Sequence, residues 1–137
     1  METTCTQQQF ETHIPATLEQ IDRVCGDVRG FLARKDLEQY FFELSLVIRE
    51  ALINAVTHGC GLDAEKNVRI SLAIDGSEMV VEIEDPGPGF DWENQMNQDA
   101  TIADVHGRGL LILQVYCNRF EYNVKGNQVR LYKSLTH

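Results

Sequence analysis

Asp85-Pro86-Gly87-Pro88-Gly89 closes a strand-like run with an acidic residue and then two glycines. Val81, Ile83 and Asp85 share one side of that run, so the carboxylate is predicted to face inward with the apolar residues. Burying a lone carboxylate costs several kcal/mol unless a donor meets it, and a ligand amino group such as that of adenine is a suitable one. Gly87 and Gly89 would let backbone approach such a ligand closely. A tight Pro-Gly turn whose amides satisfy Asp85 explains the same residues without a ligand. His106-Gly107-Arg108-Gly109 stands directly before the apolar run Leu110 to Tyr116. Glycines at a helix N-terminus expose N–H groups and the positive dipole end, which together bind phosphate. No G-x-x-x-x-G-K-[ST] loop occurs, and the third glycine of a dinucleotide fingerprint is missing.

A third segment is Arg49-Glu50-Ala51-Leu52-Ile53-Asn54-Ala55-Val56-Thr57-His58-Gly59. At about 100° per residue, Glu43, Glu50, Asn54 and Thr57 fall on one narrow line, with His58 at its edge. Leu44, Val47, Ala51 and Ala55 flank the line on one side, and Leu46, Ile53 and Val56 on the other. A surface helix would show one broad polar face. A thin stripe between apolar flanks predicts a mostly buried helix whose polar line borders a cavity, or a core helix with one satisfied polar seam. For His58 a hydrogen-bonded helix end is a better reading than catalysis.

The elements that must position these residues follow from periodicity. Phe10 to Ile14 alternates weakly and reads as an edge strand ending at Pro15. A helix beginning near Ala16 or Thr17 carries Leu18, Ile21, Val24, Cys25, Val28, Phe31 and Leu32 at helical spacing, with Gly26 and Gly30 weakening it. A turn at Lys35-Asp36 leads to the second helix, Leu37 to His58, which stops at Gly59 and Gly61. The period then changes to two: Val68, Ile70, Leu72 and Ile74 alternate with polar or small residues, and Asp75-Gly76 signals a hairpin. Phe120-Tyr122-Val124 and Val129-Leu131 make a last hairpin around Gly126-Asn127. Phe90 to His106 offers no core face and is predicted to be a mobile lid. Helices on one face of a mainly antiparallel mixed sheet make an α+β fold, a two-layer α/β sandwich, in one domain over residues 1–137.

Composition narrows the function classes. With 137 residues, 43% hydrophobic and 24% charged, the chain reads as an ordinary soluble domain. A formal charge of −9 argues against a nucleic-acid surface, which needs clustered Lys and Arg. No apolar run reaches the ~20 residues that span a bilayer, so no membrane is expected. Cys5, Cys25, Cys60 and Cys117 are widely spaced, which predicts reduced thiols in a cytoplasm rather than disulfides or a metal site.

E-x-x-x-N on a helix, D-x-G-x-G after a strand and G-x-G before a helix, in that order, resemble the N box and the two glycine boxes of the Bergerat (GHKL) nucleotide-binding fold. That superfamily includes gyrase and the histidine kinases. Within it, Arg49-Glu50-Ala51 with Asn54-Ala55 and His58-Gly59, Gly89-Phe90-Asp91, and Gly107-Arg108-Gly109-Leu110-Leu111 look like the anti-sigma-factor serine/threonine kinases. The resemblance implies an ATP-dependent enzyme that binds a sigma factor, phosphorylates an anti-anti-sigma (STAS) partner and forms a homodimer. Phe10 to Ile14 is a candidate edge for such pairing. It further implies that Asp85 receives the adenine amino group and that Asn54 holds Mg²⁺. Gly87 and Gly89 would line the nucleotide, while Gly107 and Gly109 would give backbone to its phosphates, with Arg108 beside them. Glu50 would accept the proton of the attacking serine hydroxyl. Many relatives carry Gly-Thr before the final strand, with the hydroxyl near adenine; this chain has Gly126-Asn127. Two alternatives stay open. One is a free-standing histidine-kinase-type ATPase domain, which the short stretch before the second helix and the short lid disfavour. The other is a nucleotide-dependent binding switch without kinase activity.

Overall fold

The computed structural model describes residues 3–5, 9–87, 117–123 and 127–135, with the side chains of 3–5, 58 and 59 left aside. Strand β1 (Thr3–Cys5) and strand β2 (Gln9–Pro15) precede helix α1 (Glu19–Arg34). A short 3₁₀ turn, Glu38–Tyr40, runs into helix α2 (Phe41–Asn54), and a π-helical turn, Ala55–Gly59, follows it. Strands β3 (Asn67–Asp75), β4 (Glu78–Glu84), β5 (Arg119–Tyr122) and β6 (Gln128–Ser134) complete the described chain. They form a six-stranded sheet in the order β1-β2-β3-β4-β6-β5. Every pairing among the described residues is antiparallel, so the expected mixed sheet shows no parallel pair there.

Alternation builds the inner face of the sheet. Phe10, Thr12 and Ile14 of β2, Val68, Ile70 and Leu72 of β3, Met79, Val81 and Ile83 of β4, and Val129 and Leu131 of β6 are buried. Ile21, Val24, Cys25, Val28, Phe31 and Leu32 of α1 come down on that layer, as their spacing predicts. Helix α2 buries Leu44, Val47, Ile48, Ala51 and Leu52, and Ala55 and Val56 continue the seam into the π turn. The two helices pack on each other, α1 against β2 and α2 against β4. This is the α+β two-layer arrangement, helices against one face of the sheet.

Three elements differ from the sequence expectation. Strand β2 is not the edge of the sheet, because β1 pairs with it through Thr3↔Thr12, Thr4↔Glu11 and Cys5↔Phe10. A three-residue strand of Thr and Cys carries too little alternation to announce itself. The β3–β4 loop is Gly76-Ser77 rather than Asp75-Gly76, since Asp75 pairs with Glu78. Gly76 takes φ +64° at the first loop position, as a type II′ turn requires. The second helix keeps its predicted span but changes type at both ends, from 3₁₀ through α to π.

The outer face of the sheet is held by charge. Arg69 reaches Glu11 at 3.2 Å, Glu84 at 3.5 Å and Glu82, and Arg130 reaches Glu82 at 2.8 Å. Burial alone would raise the pKa of Glu82, but hydrogen bonds from Arg69 and Arg130 outweigh it and hold the carboxyl below its ordinary 4.5. A depressed carboxylate contributes stability above its unfolded value and loses it as pH falls through the folded one. The denaturant midpoint should therefore be insensitive to pH near neutrality and fall below about pH 4.5, less steeply in Glu82→Gln. Gly26 lies exposed within α1, and an added Cβ would meet nothing within 4 Å. Gly26→Ala should thus stabilise the protein by about 0.5–1 kcal/mol, read as a higher melting temperature.

Candidate functional site

Asp85 follows the last residue of β4 and keeps the inward phase of Met79, Val81 and Ile83, as its spacing predicts. Only 9% of it is exposed. Its Oδ1 accepts the Gly87 N–H at 2.8 Å, the local turn bond that Asp forms readily. This is the tight turn whose amide meets Asp85, the feature that explains the motif without a ligand. Gly87 is buried beside it.

The polar line of α2 divides into three parts. At the N-terminal end, Glu43 is paired with Lys133, an inward-facing lysine of β6 only 17% exposed. Tyr40 Oη donates to the Leu135 carbonyl at 2.9 Å nearby, so this end is tied to the sheet. Glu43 is thus structural. At the C-terminal end, Thr57 Oγ1 donates back to the Ile53 carbonyl at 2.6 Å, which satisfies it within the helix. Between them stand Glu50, half-buried and without a hydrogen bond or ion pair to a described residue, and Asn54. Asn54 Oδ1 is a buried oxygen with no hydrogen-bond partner among the described residues. A buried acceptor left unmet costs on the order of 1–3 kcal/mol, and such atoms call for an explanation.

Asn54 is also the last α-helical residue. Beyond it the helix widens, with Cys60 N–H donating to the Ala55 carbonyl at 2.9 Å, a five-residue step. Single π turns inside helices occur frequently at functional sites. This one brings Cys60 into the core, 2% exposed, where burial pushes its thiol pKa up and the charge of Asp85 adds to the shift. Asp85 follows the end of β4, whereas Lys133, the partner of Glu43, stands opposite Met79 near the other end of that strand. Gly89, Gly107, Arg108 and Gly109, the expected lid and the expected helix Leu110 to Tyr116 lie outside the described residues. So does the side chain of His58.

Asn127, whose role the motifs left open, donates Nδ2 to the Asp85 carbonyl at 2.8 Å and accepts the Asp85 N–H at 3.0 Å. Sequence reasoning missed Asn123, which holds Asn127 from the other side at 2.8 Å. It also missed Lys133, although a lysine in phase with Val129 and Leu131 was a readable signal. Among the described residues no three His, Cys, Asp or Glu side chains could jointly hold a metal ion. A Mg²⁺ bound between nucleotide phosphates needs only one or two protein oxygens, and the orphaned Asn54 Oδ1 is a hard donor of that kind. No described helix is long and apolar enough to cross a membrane.

The family model of the histidine kinase-like ATPase domain matches residues 14–133. The chain belongs to that family. Its boxes thus stand in a GHKL-type ATPase domain, and the α+β sheet and helices described above accord with the Bergerat-type fold. No curated protein matches the chain in sequence. Among solved structures it is similar to the histidine kinase domain from the Erythrobacter litoralis EL346 blue-light activated histidine kinase. The TM-score is 0.53 at 17% identity, over 89% of this chain and 62% of that one. At that identity the likeness is one of fold.

Cys25, Cys60 and Cys117 of this ATPase domain are free thiols, each with its pKa raised chiefly by burial. Cys117 is pushed up to about 11, although Lys133 pulls the other way. Little thiolate exists at neutral pH, so alkylation of these three should be far slower in the native than in the denatured protein. For Cys117 the rate should keep climbing past pH 9, as mass mapping of the modified peptide would read.

Proposed function

We propose that this domain is an ATP-dependent serine/threonine protein kinase of the anti-sigma type. The carrying observation is the buried Asn54 oxygen at the α-to-π junction, which meets no hydrogen-bond donor among the described residues, with the buried Asp85 carboxylate at the end of β4 as a second acceptor. That pairing of acceptors suits a nucleotide with its divalent cation. Asn54 would hold Mg²⁺ against the phosphates, which supplies charge neutralisation when bound. Asp85, buried at the end of β4, would accept the adenine amino group. Gly87 and Gly89 would line the base, and Gly107, Arg108 and Gly109 the phosphates. Glu50, one turn before Asn54, would take the proton of an incoming hydroxyl.

The motif wording of Arg49-Glu50-Ala51, Asn54-Ala55 and Gly107-Arg108-Gly109-Leu110-Leu111 supports the serine kinase branch over the histidine kinases. The expected substrate is a STAS-type anti-anti-sigma protein, and the expected sequestered partner a sigma factor. A homodimer in the cytoplasm fits the same branch. Its contact would not use the middle of β2, because β1 covers Phe10 to Thr12.

Three variants test the reading. Asp85→Asn should weaken ATP binding about ten-fold or more by calorimetry, through loss of a charge-assisted hydrogen bond. Asn54→Ala should weaken ATP chiefly when Mg²⁺ is present. Glu50→Gln should leave ATP affinity nearly unchanged but lower phosphorylation of a STAS partner by ~10²–10⁴-fold. Full kinase activity in Glu50→Gln would overturn its role as base. Tight ATP binding with no transfer to any serine would instead make the domain a nucleotide-dependent switch.

A further inference from the structure

Two asparagines hold the Asp85 backbone in a way the strand ladder does not. The β4–β6 pairing ends at Glu84↔Gln128, and Asp85 and Asn127 stand opposite each other one step beyond. In an antiparallel sheet such a bonded pair exchanges two N–H···O bonds. Here only one is of that kind, Asp85 N–H to the Asn127 carbonyl at 3.0 Å. The Asn127 N–H is turned away to Asn123 Oδ1 at 3.1 Å. Its side-chain Nδ2 takes over, donating to the Asp85 carbonyl at 2.8 Å. Asn123 Nδ2 donates to Asn127 Oδ1 at 2.8 Å, so the amide is oriented at both its oxygen and its nitrogen. Asn123 Oδ1 also accepts the Gln128 N–H at 3.2 Å, and Asn123 N–H meets the Gln128 carbonyl at 3.0 Å. Both main-chain polar groups of Asp85 are thus held by one residue, while Gly87 holds its Oδ1.

We propose that Asn127, locked by Asn123, is a positioning residue that aims the Asp85 carboxylate at the amino group of a bound purine. The inference rests on the nucleotide reading of Asp85 given above. A donor on a side chain of this length is required, because the Asn127 backbone donor is committed to the hairpin. The side chain acts through Asp85 and therefore governs base discrimination rather than phosphate affinity.

The test compares ATP with ITP, whose base lacks the exocyclic amino group, by calorimetry on the parent, Asp85→Asn, Asn127→Ala and the double variant. Asn127→Ala should weaken ATP about five-fold, the worth of one hydrogen bond, and leave ITP within about two-fold. In the Asp85→Asn background the same change should cost nothing further, since interacting residues are not additive. Asn127→Asp, which keeps the size and the acceptor for Asn123 but lacks the donor, should narrow the ATP-to-ITP ratio as well. It carries the test if the alanine variant fails to fold. Equal weakening of ATP and ITP, or losses that multiply in the double variant, would show a merely structural role and overturn the proposal. Parent-like ATP affinity in Asn127→Ala beside a weakened Asp85→Asn would overturn it while leaving the nucleotide reading intact. Parent-like affinity in Asp85→Asn would remove that reading, and this proposal with it.

Discussion

The register of β4 between β3 and β6 is the constraint on which the rest depends. Seven consecutive residue pairs on each side hold it, from Glu84↔Arg69 and Glu84↔Gln128 to Glu78↔Asp75 and Glu78↔Ser134. A slip by one residue would turn Met79, Val81 and Ile83 out of the core and expose every charge on the wrong face. Asp85 follows the same phase, so the slip that empties the core also moves its carboxylate to solvent. Core packing and site geometry are therefore a single condition. The outer-face pairs of Arg69 and Arg130 with Glu82 reinforce it, because they form only in this register.

Helix α2 is tied down at one end and opened at the other. Lys133 and the Leu135 carbonyl hold Glu43 and Tyr40 where β6 ends. An inward lysine would be costly in this layer without Glu43, so the pair commits the helix to one position over the sheet. Toward Asn54 the constraint changes. The chain widens into a π turn, Cys60 drops into the core and no described residue meets the amide oxygen of Asn54. Stability is spent at the tied end and a polar gap is tolerated at the open one, as binding sites commonly require.

The two acceptors differ in how far the protein satisfies them. Asp85 has its backbone held by Asn127 and one carboxylate oxygen held by Gly87, which defines its direction. Asn54 Oδ1 meets no hydrogen-bond donor among the described residues. An oriented carboxylate suits selection of a neutral donor, whereas an unmet amide oxygen suits a cation that brings its own charge and most of its own ligands. Family membership makes this a histidine kinase-like ATPase domain, and the proposed nucleotide with its divalent ion would use the two environments differently.

Local pattern carried most of this protein. The period of 3.6 in α1 and α2 and the period of two in β3, β4 and β6 follow from which residues must leave water, and these elements form as their alternation predicts. The inward phase of Asp85 was legible for the same reason, since it continues Val81 and Ile83. Order and wording of the boxes made the family legible as well. What the sequence left open was whatever depends on which segments meet. Glu43 and Thr57 lie on the same line as Glu50 and Asn54, yet Lys133 satisfies one and the Ile53 carbonyl the other. The covering of β2 by β1, the π turn after Asn54 and the grip of Asn123 and Asn127 on Asp85 have no periodic signal either. Each rests on a hydrogen bond whose two partners are chosen by packing, and a polar atom's partner is decided only when the core has brought both chains to the same place.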